Sequence, residues 1–191
     1  MFLILPRSIP TVPSEHGKSF AVWITGLPAS GKSTITAALV SKLAARGVDA
    51  AVLESDVLRG IFTQNPTYDE AERDAFYQHM AYIGGLLYQH GVPVIFDATA
   101  NRRMYRDRAR QQFPRFIEVY VDSSLETCMA RDPKGIYRKA RDGASHSVPG
   151  LQAAYEAPEH PEVTVDGARE TPEDAAEKIV AALVSNGCLG L

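Results

Sequence analysis

The sequence predicts a three-layer α/β fold, with a parallel five-stranded sheet held between layers of helices. Three observations predict it. From Phe20 onward, short apolar runs alternate with helical patterns, as expected of strands joined by helical crossovers. Most of those runs are unbroken rather than alternating in polarity, which suits strands buried on both faces. A glycine-containing stretch, TGLPASGKST (25–34), separates the first apolar run from the first helical pattern. Open α/β sheets bind ligands in such loops, at the carboxyl ends of their strands.

Taken in order, FAVWIT (20–25), AAVLE (50–54), PVIFD (93–97), FIEVYV (116–121) and EVTVD (162–166) read as strands. Helical patterns occupy 33–46, stopped by Gly47, and 69–90, stopped by Gly91, then 101–112 and 124–131. The last helix opens at Thr171-Pro172-Glu173-Asp174, a cap residue followed by proline and acids. It runs to about Asn186 and Gly187, the asymmetry expected of helix ends.

The 191 residues suit one domain with a sizeable core. Residues 1–18 read as a flexible leader and residues 19–191 as the domain. The leader's apolar run ends at Leu5 and meets Pro6, Pro10 and Pro13, too short for a signal-peptide core. No other run approaches a membrane-spanning length. Twenty Lys and Arg against 23 Asp and Glu give a net charge of −3. That balance argues against nucleic-acid binding by bulk positive charge. Cys128 and Cys188 stand far apart without metal-ligand spacing, as in a reduced cytoplasmic protein.

Gly26-Leu-Pro-Ala-Ser-Gly31-Lys32-Ser33 matches the pattern G-x-x-x-x-G-K-[ST], after a strand and before a helix as that motif requires. Glycines let the backbone turn its N–H groups toward phosphate oxygens. Lys32 then neutralises the β- and γ-phosphates of ATP, Ser33 offers an oxygen to Mg²⁺, and the helix N-terminus adds its dipole. The binding loop comprises Gly26, Ala29, Ser30, Gly31, Lys32, Ser33 and Thr34. The fold class is therefore a three-layer P-loop NTPase fold.

The acceptor class comes from what accompanies the loop. No N/T-K-x-D guanine-reading motif occurs, and Asp132-Pro-Lys-Gly135 lies after the fourth strand, the wrong place for a switch loop. RDPKGIYRKARDG (131–143) carries Arg131, Lys134, Arg138, Lys139 and Arg141; it reads as a basic lid that closes over transferring phosphate. Two carboxylates at strand ends compete for the metal and base roles: Asp56 in LESDVLRG and Asp97 in VIFDATANRR. Either can hold Mg²⁺ or accept a hydroxyl proton, and either can instead cap a helix.

From Trp23 to about Asp166 the chain resembles the adenylyl-sulfate kinases. The resemblance rests on WITGLPASGKST, VLESDVLRG, YRDRAR, FIEVYVDSSLETCMARDPKGIYRKAR and YEAPEHPEV. It implies transfer of the ATP γ-phosphate to the ribose 3′-hydroxyl of adenylyl sulfate, in a homodimer. By the same resemblance Asp56 is the carboxylate near the acceptor hydroxyl and Mg²⁺, and Arg59 and Arg73 grip the acceptor's phosphosulfate. Tyr68, His146 and Val148 also meet the acceptor, while Arg131 and Lys134 meet ATP. Ser33 and Asp97 are the metal candidates; Lys32 and Asp56 are the catalytic ones.

The departures fall on the acceptor side. Glu54-Ser55-Asp56 replaces D-G-D, and Phe76 replaces the asparagine of D-R-x-x-N. Gln78 and His79 replace two arginines, and Thr99-Ala100-Asn101 replaces I-S-P. His146 and Val148 replace a lysine and a phenylalanine. DATAN is also similar to the D-x-T-N of kinases acting on sugars and nucleic-acid ends. A same-fold kinase acting on another nucleotide or small alcohol is therefore the second reading. A regulatory domain without turnover is the third, disfavoured by the presence of Lys32, Ser33, Asp56 and the basic lid.

Overall fold

The computed structural model describes residues 19–63 and 65–190. The expected leader lies outside the described residues. The elements in chain order are β1 (Ala21–Thr25), α1 (Lys32–Ala44), β2 (Ala51–Glu54), α2 (Ser55–Phe62), α3 (Glu70–Gln89) and β3 (Val94–Asp97). They continue with α4 (Arg103–Arg110), β4 (Phe116–Asp122), α5 (Leu125–Arg131), α6 (Ile136–Arg141), β5 (Val163–Asp166) and α7 (Pro172–Ser185). The five strands form one sheet in the order β2-β3-β1-β4-β5. Every pair is parallel, with Trp23 opposite Phe96 on one side and Glu118 on the other.

Successive strand residues point to opposite faces, and both faces are covered. Val22 and Ile24 pack with Ile35, Leu39 and Leu43 of α1 and with Ile179 and Leu183 of α7. Ala21 and Trp23 pack with Phe76 and Met80 of α3 and with Tyr105 and Ala109 of α4. Having no wet face, β1 tolerates no polar alternation. The fully buried Trp23 ring stacks on Phe96 at 4.6 Å between centroids, and its indole N–H donates to the Ala98 carbonyl at 3.2 Å. Gly84 lets α3 lie close on the sheet: a Cβ there would stand 2.3 Å from Cζ of Phe96.

All five expected strands form, with ends moved by a residue at most. The expected helices at 33–46, 69–90, 101–112 and 124–131 form at α1, α3, α4 and α5, and the last forms at α7. Two short helices carry weaker sequence signals. Helix α2 follows β2 without a loop and has no side-chain cap. Helix α6 is six residues inside the basic lid, entered through Gly135 at φ 65°, too short to display a periodicity.

Strand β1 lies at the centre: β2 and β3, next in the chain, lie on one side of it, and the chain then crosses to β4 and β5 on the other. Such a switch point opens a crevice at the carboxyl ends of the strands. A small third core of Cys128, Tyr137, Ala140 and Val148 fastens α5 and α6 over that end. Both cysteines are free and buried, Cys188 included.

Candidate active site

The loop between β1 and α1 adopts backbone conformations that explain its composition. Gly26 sits at φ 156°, Ala29 at φ 60° and Gly31, the residue before α1, at φ 109°. A Cβ at Gly26 would stand 2.6 Å from the Val121 carbonyl oxygen, so the neighbouring strand demands glycine as much as the turn does. The Lys32 ammonium folds back into the loop and donates to the carbonyls of Gly26 at 3.2 Å and Leu27 at 2.9 Å. Burial holds its pKa below the usual lysine value, while the nearby carboxylates of Asp97 and Asp56 pull the other way. Among the described residues the buried Ser30 hydroxyl has no hydrogen-bond partner, an exception to the rule that buried polar groups are paired.

A cleft of about 450 Å³ opens over this loop. Ala29, Ser30, Gly31, Lys32, Ser33, Thr34, Asp56, Asp97, Arg131 and Lys134 line it together, so the residues expected at the ATP and metal positions converge. Gly26 shapes the loop from behind. Sequence reasoning missed Glu54, Thr99, Gly167, Glu170 and Pro172, which line the same cleft. Thr99 had a signal in its strand-end position. Pro172 was legible only as a helix start, and nothing local brings Gly167 and Glu170 to the loop.

The two competing carboxylates differ in setting. Asp97 ends β3 and is 5% exposed, and its carboxylate forms no hydrogen bond or ion pair among the described residues. It does not cap α4, whose preceding residue is Arg102. Asp56 lies inside the first turn of α2 rather than at its cap, and its carboxylate accepts from Lys134 at 2.6 Å. That bond holds the Lys134 pKa above the usual value. Among the described residues no group of three or more His, Cys, Asp or Glu side chains could hold a metal. A Mg²⁺ that brings phosphate and water ligands needs only one or two carboxylates, and Ser33 with Asp97 fits that lighter demand.

The lid is anchored to the loop it covers. The buried Tyr137 hydroxyl donates to the Pro28 carbonyl at 3.0 Å, and the Arg131 guanidinium reaches the Ser30 carbonyl at 3.5 Å. The YEAP segment serves as a second strap. Tyr155 shares a hydrogen bond with the Thr25 hydroxyl at 3.0 Å, and the Glu156 carbonyl accepts from Arg106 at 2.6 Å. Arg106 is 1% exposed and also pairs with Glu118 at 2.7 Å.

Three of the residues expected at the acceptor, Arg59, Tyr68 and Arg73, form a cluster outside that cleft, which Asp56 lines. Arg59 pairs with Glu72, and its guanidinium lies 3.9 Å over the Phe76 ring and 4.9 Å from that of Tyr68. Arg73 donates to the Tyr68 carbonyl at 2.8 Å, to the Asn101 side-chain oxygen at 3.3 Å and to the Ser147 carbonyl at 2.7 Å. Arg59, Tyr68 and Arg73 are thus brought together. His146 is exposed, and Val148 is buried in the small core under the lid.

A glycine-turned loop with a buried lysine, strand-end carboxylates and an anchored basic lid define a P-loop kinase. Residues 18–166 match the family described as Adenylylsulphate kinase, and the chain belongs to that family. The adenylyl-sulfate kinase of Synechococcus sp. (strain JA-3-3Ab) is 36% identical over 172 residues, covering 90% of this chain and 98% of the relative. That of Microcystis aeruginosa is 37% identical over 162 residues, covering 85% and 90%. Among solved structures, the Mycobacterium tuberculosis APS kinase CysC in complex with AMPPNP and APS superposes with a TM-score of 0.82. It is 29% identical and covers 87% of this chain and 98% of its own. Among the described residues no helix is long and apolar enough to cross a membrane.

Proposed function

We propose that this chain transfers the γ-phosphate of ATP to the ribose 3′-hydroxyl of adenylyl sulfate, giving 3′-phosphoadenylyl sulfate and ADP. The observation that carries the proposal is the single cleft shared by Lys32, Ser33, Asp56, Asp97 and Lys134, within a chain of this family. Asp56, at the mouth and free to exchange its lysine partner, accepts the proton of the attacking hydroxyl. The new bond joins that oxygen to the γ-phosphorus as the bond to the bridging oxygen breaks, and ADP leaves with the electron pair. Lys32 and Lys134 neutralise charge on the transferring group from opposite sides. Mg²⁺, when bound with ATP, supplies further charge neutralisation on the phosphates, and Ser33 with Asp97 would hold it.

On this reading Arg59 and Arg73 face the acceptor's anionic end, and the functional unit is a cytoplasmic homodimer, which light scattering on the purified chain tests. One observation favours a second reading, a same-fold kinase with another acceptor: Arg59 is already paired with Glu72, and Arg73 is bonded to Tyr68, Asn101 and Ser147. A coupled ADP-release assay with ATP and Mg²⁺ separates the two. Adenylyl sulfate should be turned over fastest on a panel of nucleotides, nucleosides and small alcohols. Faster turnover of an uncharged alcohol would replace the first reading by the second.

A further inference from the structure

The Arg59 guanidinium packs against two aromatic rings and is occupied at part of its edge. Phe76 lies under it at 3.9 Å, Tyr68 stands 4.9 Å away, and the side chain is only 8% exposed. An anion pairs with such a flat cation in its plane, where the N–H groups point. On that edge the Nη1 group is taken by one oxygen of Glu72. The other Glu72 oxygen accepts from the Tyr68 backbone N–H and, at 3.3 Å, from the Thr67 hydroxyl. Arg73, the neighbouring cation, is committed to Tyr68, Asn101 and Ser147. Glu72 itself remains 18% exposed at the rim, so its carboxylate can swing to water while Arg59 stays packed on its rings.

We infer that the Glu72 carboxylate occupies the Nη1 side of the Arg59 edge in place of the acceptor's anionic group, so that Glu72 sets acceptor affinity by competing for it. The inference rests on the acceptor reading above for the identity of the anion, but its physical content is the competition itself. Binding exchanges one charge-assisted hydrogen bond for another, so little is gained while the carboxylate is present. A neutral amide at position 72 keeps an oxygen for the Tyr68 N–H and lowers the cost of the exchange. The rings still hold the guanidinium, so the pocket keeps its shape.

The test is Glu72→Gln in the full chain. Sulfate binding is measured by calorimetry with ADP saturating the P-loop, beside KM for adenylyl sulfate and for ATP. Sulfate affinity should rise and KM for adenylyl sulfate fall, each on the order of 10-fold, the scale of one hydrogen bond to a charged group. KM for ATP should not move. The gain in sulfate affinity should vanish when Arg59→Gln is added. Unchanged or weaker sulfate binding in Glu72→Gln would overturn the inference and make Glu72 a support that positions Arg59. If the native chain does not phosphorylate adenylyl sulfate while Glu72→Gln still gains sulfate affinity, the acceptor identity fails and the competition stands.

Discussion

The Lys134 ammonium lies 2.6 Å from the Asp56 carboxylate, tying the lid to the first turn of α2 across the mouth of the cleft. Both side chains are more than half exposed, 57% and 65%, so the pair contributes little to stability. It brings a proton acceptor and a phosphate-directed cation to one place, and either partner is free to turn to substrate.

Asp56→Asn keeps the shape of the side chain and removes its basicity. We expect kcat to fall by about 10²-fold or more, the scale of a lost general base, with little change in Tm. Activity that survives Asp56→Asn but collapses in Asp97→Asn would assign the base role to Asp97 instead.

Lys32→Ala removes the cation that the loop folds over its own carbonyls. Phosphoryl transfer should drop on the order of 10²-fold or more, since the transition-state charge loses a fixed partner. Circular dichroism should report an unchanged fold. Near-native turnover in a folded Lys32→Ala protein would remove the loop from the mechanism.

Arg106→Met tests the strap under YEAP. The substitution leaves Glu118, 5% exposed, with Arg110 as its remaining side-chain cation. Breaking a buried pair on one side costs about 3 kcal/mol, a fall of roughly 6–12 °C in Tm for a chain of this length. A loss below 2 °C by thermal melting would show that Arg110 compensates fully.

Gly84→Ala sets helix propensity against packing. Alanine should favour α3 by about 1 kcal/mol, but its Cβ would meet the Phe96 ring at 2.3 Å. Overpacking costs about 1–3 kcal/mol, and Phe96 is fully buried between Trp23 and Phe113. The variant should therefore be less stable, read as a lower urea midpoint; a gain would mean the ring has room to move.

What the sequence determined by itself is local. Strands buried on both faces must be apolar throughout, and a loop whose backbone wraps phosphate must place glycine, lysine and serine at set intervals. Both appear as contiguous patterns, so the five strands, the α1 loop and the Lys32, Ser33, Asp56 and Asp97 candidates were legible at once. The cleft wall from Gly167, Glu170 and Pro172 was not, because β5 delivers it to the loop only through the sheet order. Nor were the partners of the acceptor-side arginines. By resemblance Arg59 and Arg73 were expected to grip the acceptor's phosphosulfate, whereas α3 sets Glu72 and Phe76 against Arg59. The turn at Tyr68 and the segment at Ser147 complete Arg73. Val148 moved from a contact surface into the small core for the same reason: the side a residue faces is set by what packs against it, and that is decided only when distant segments meet.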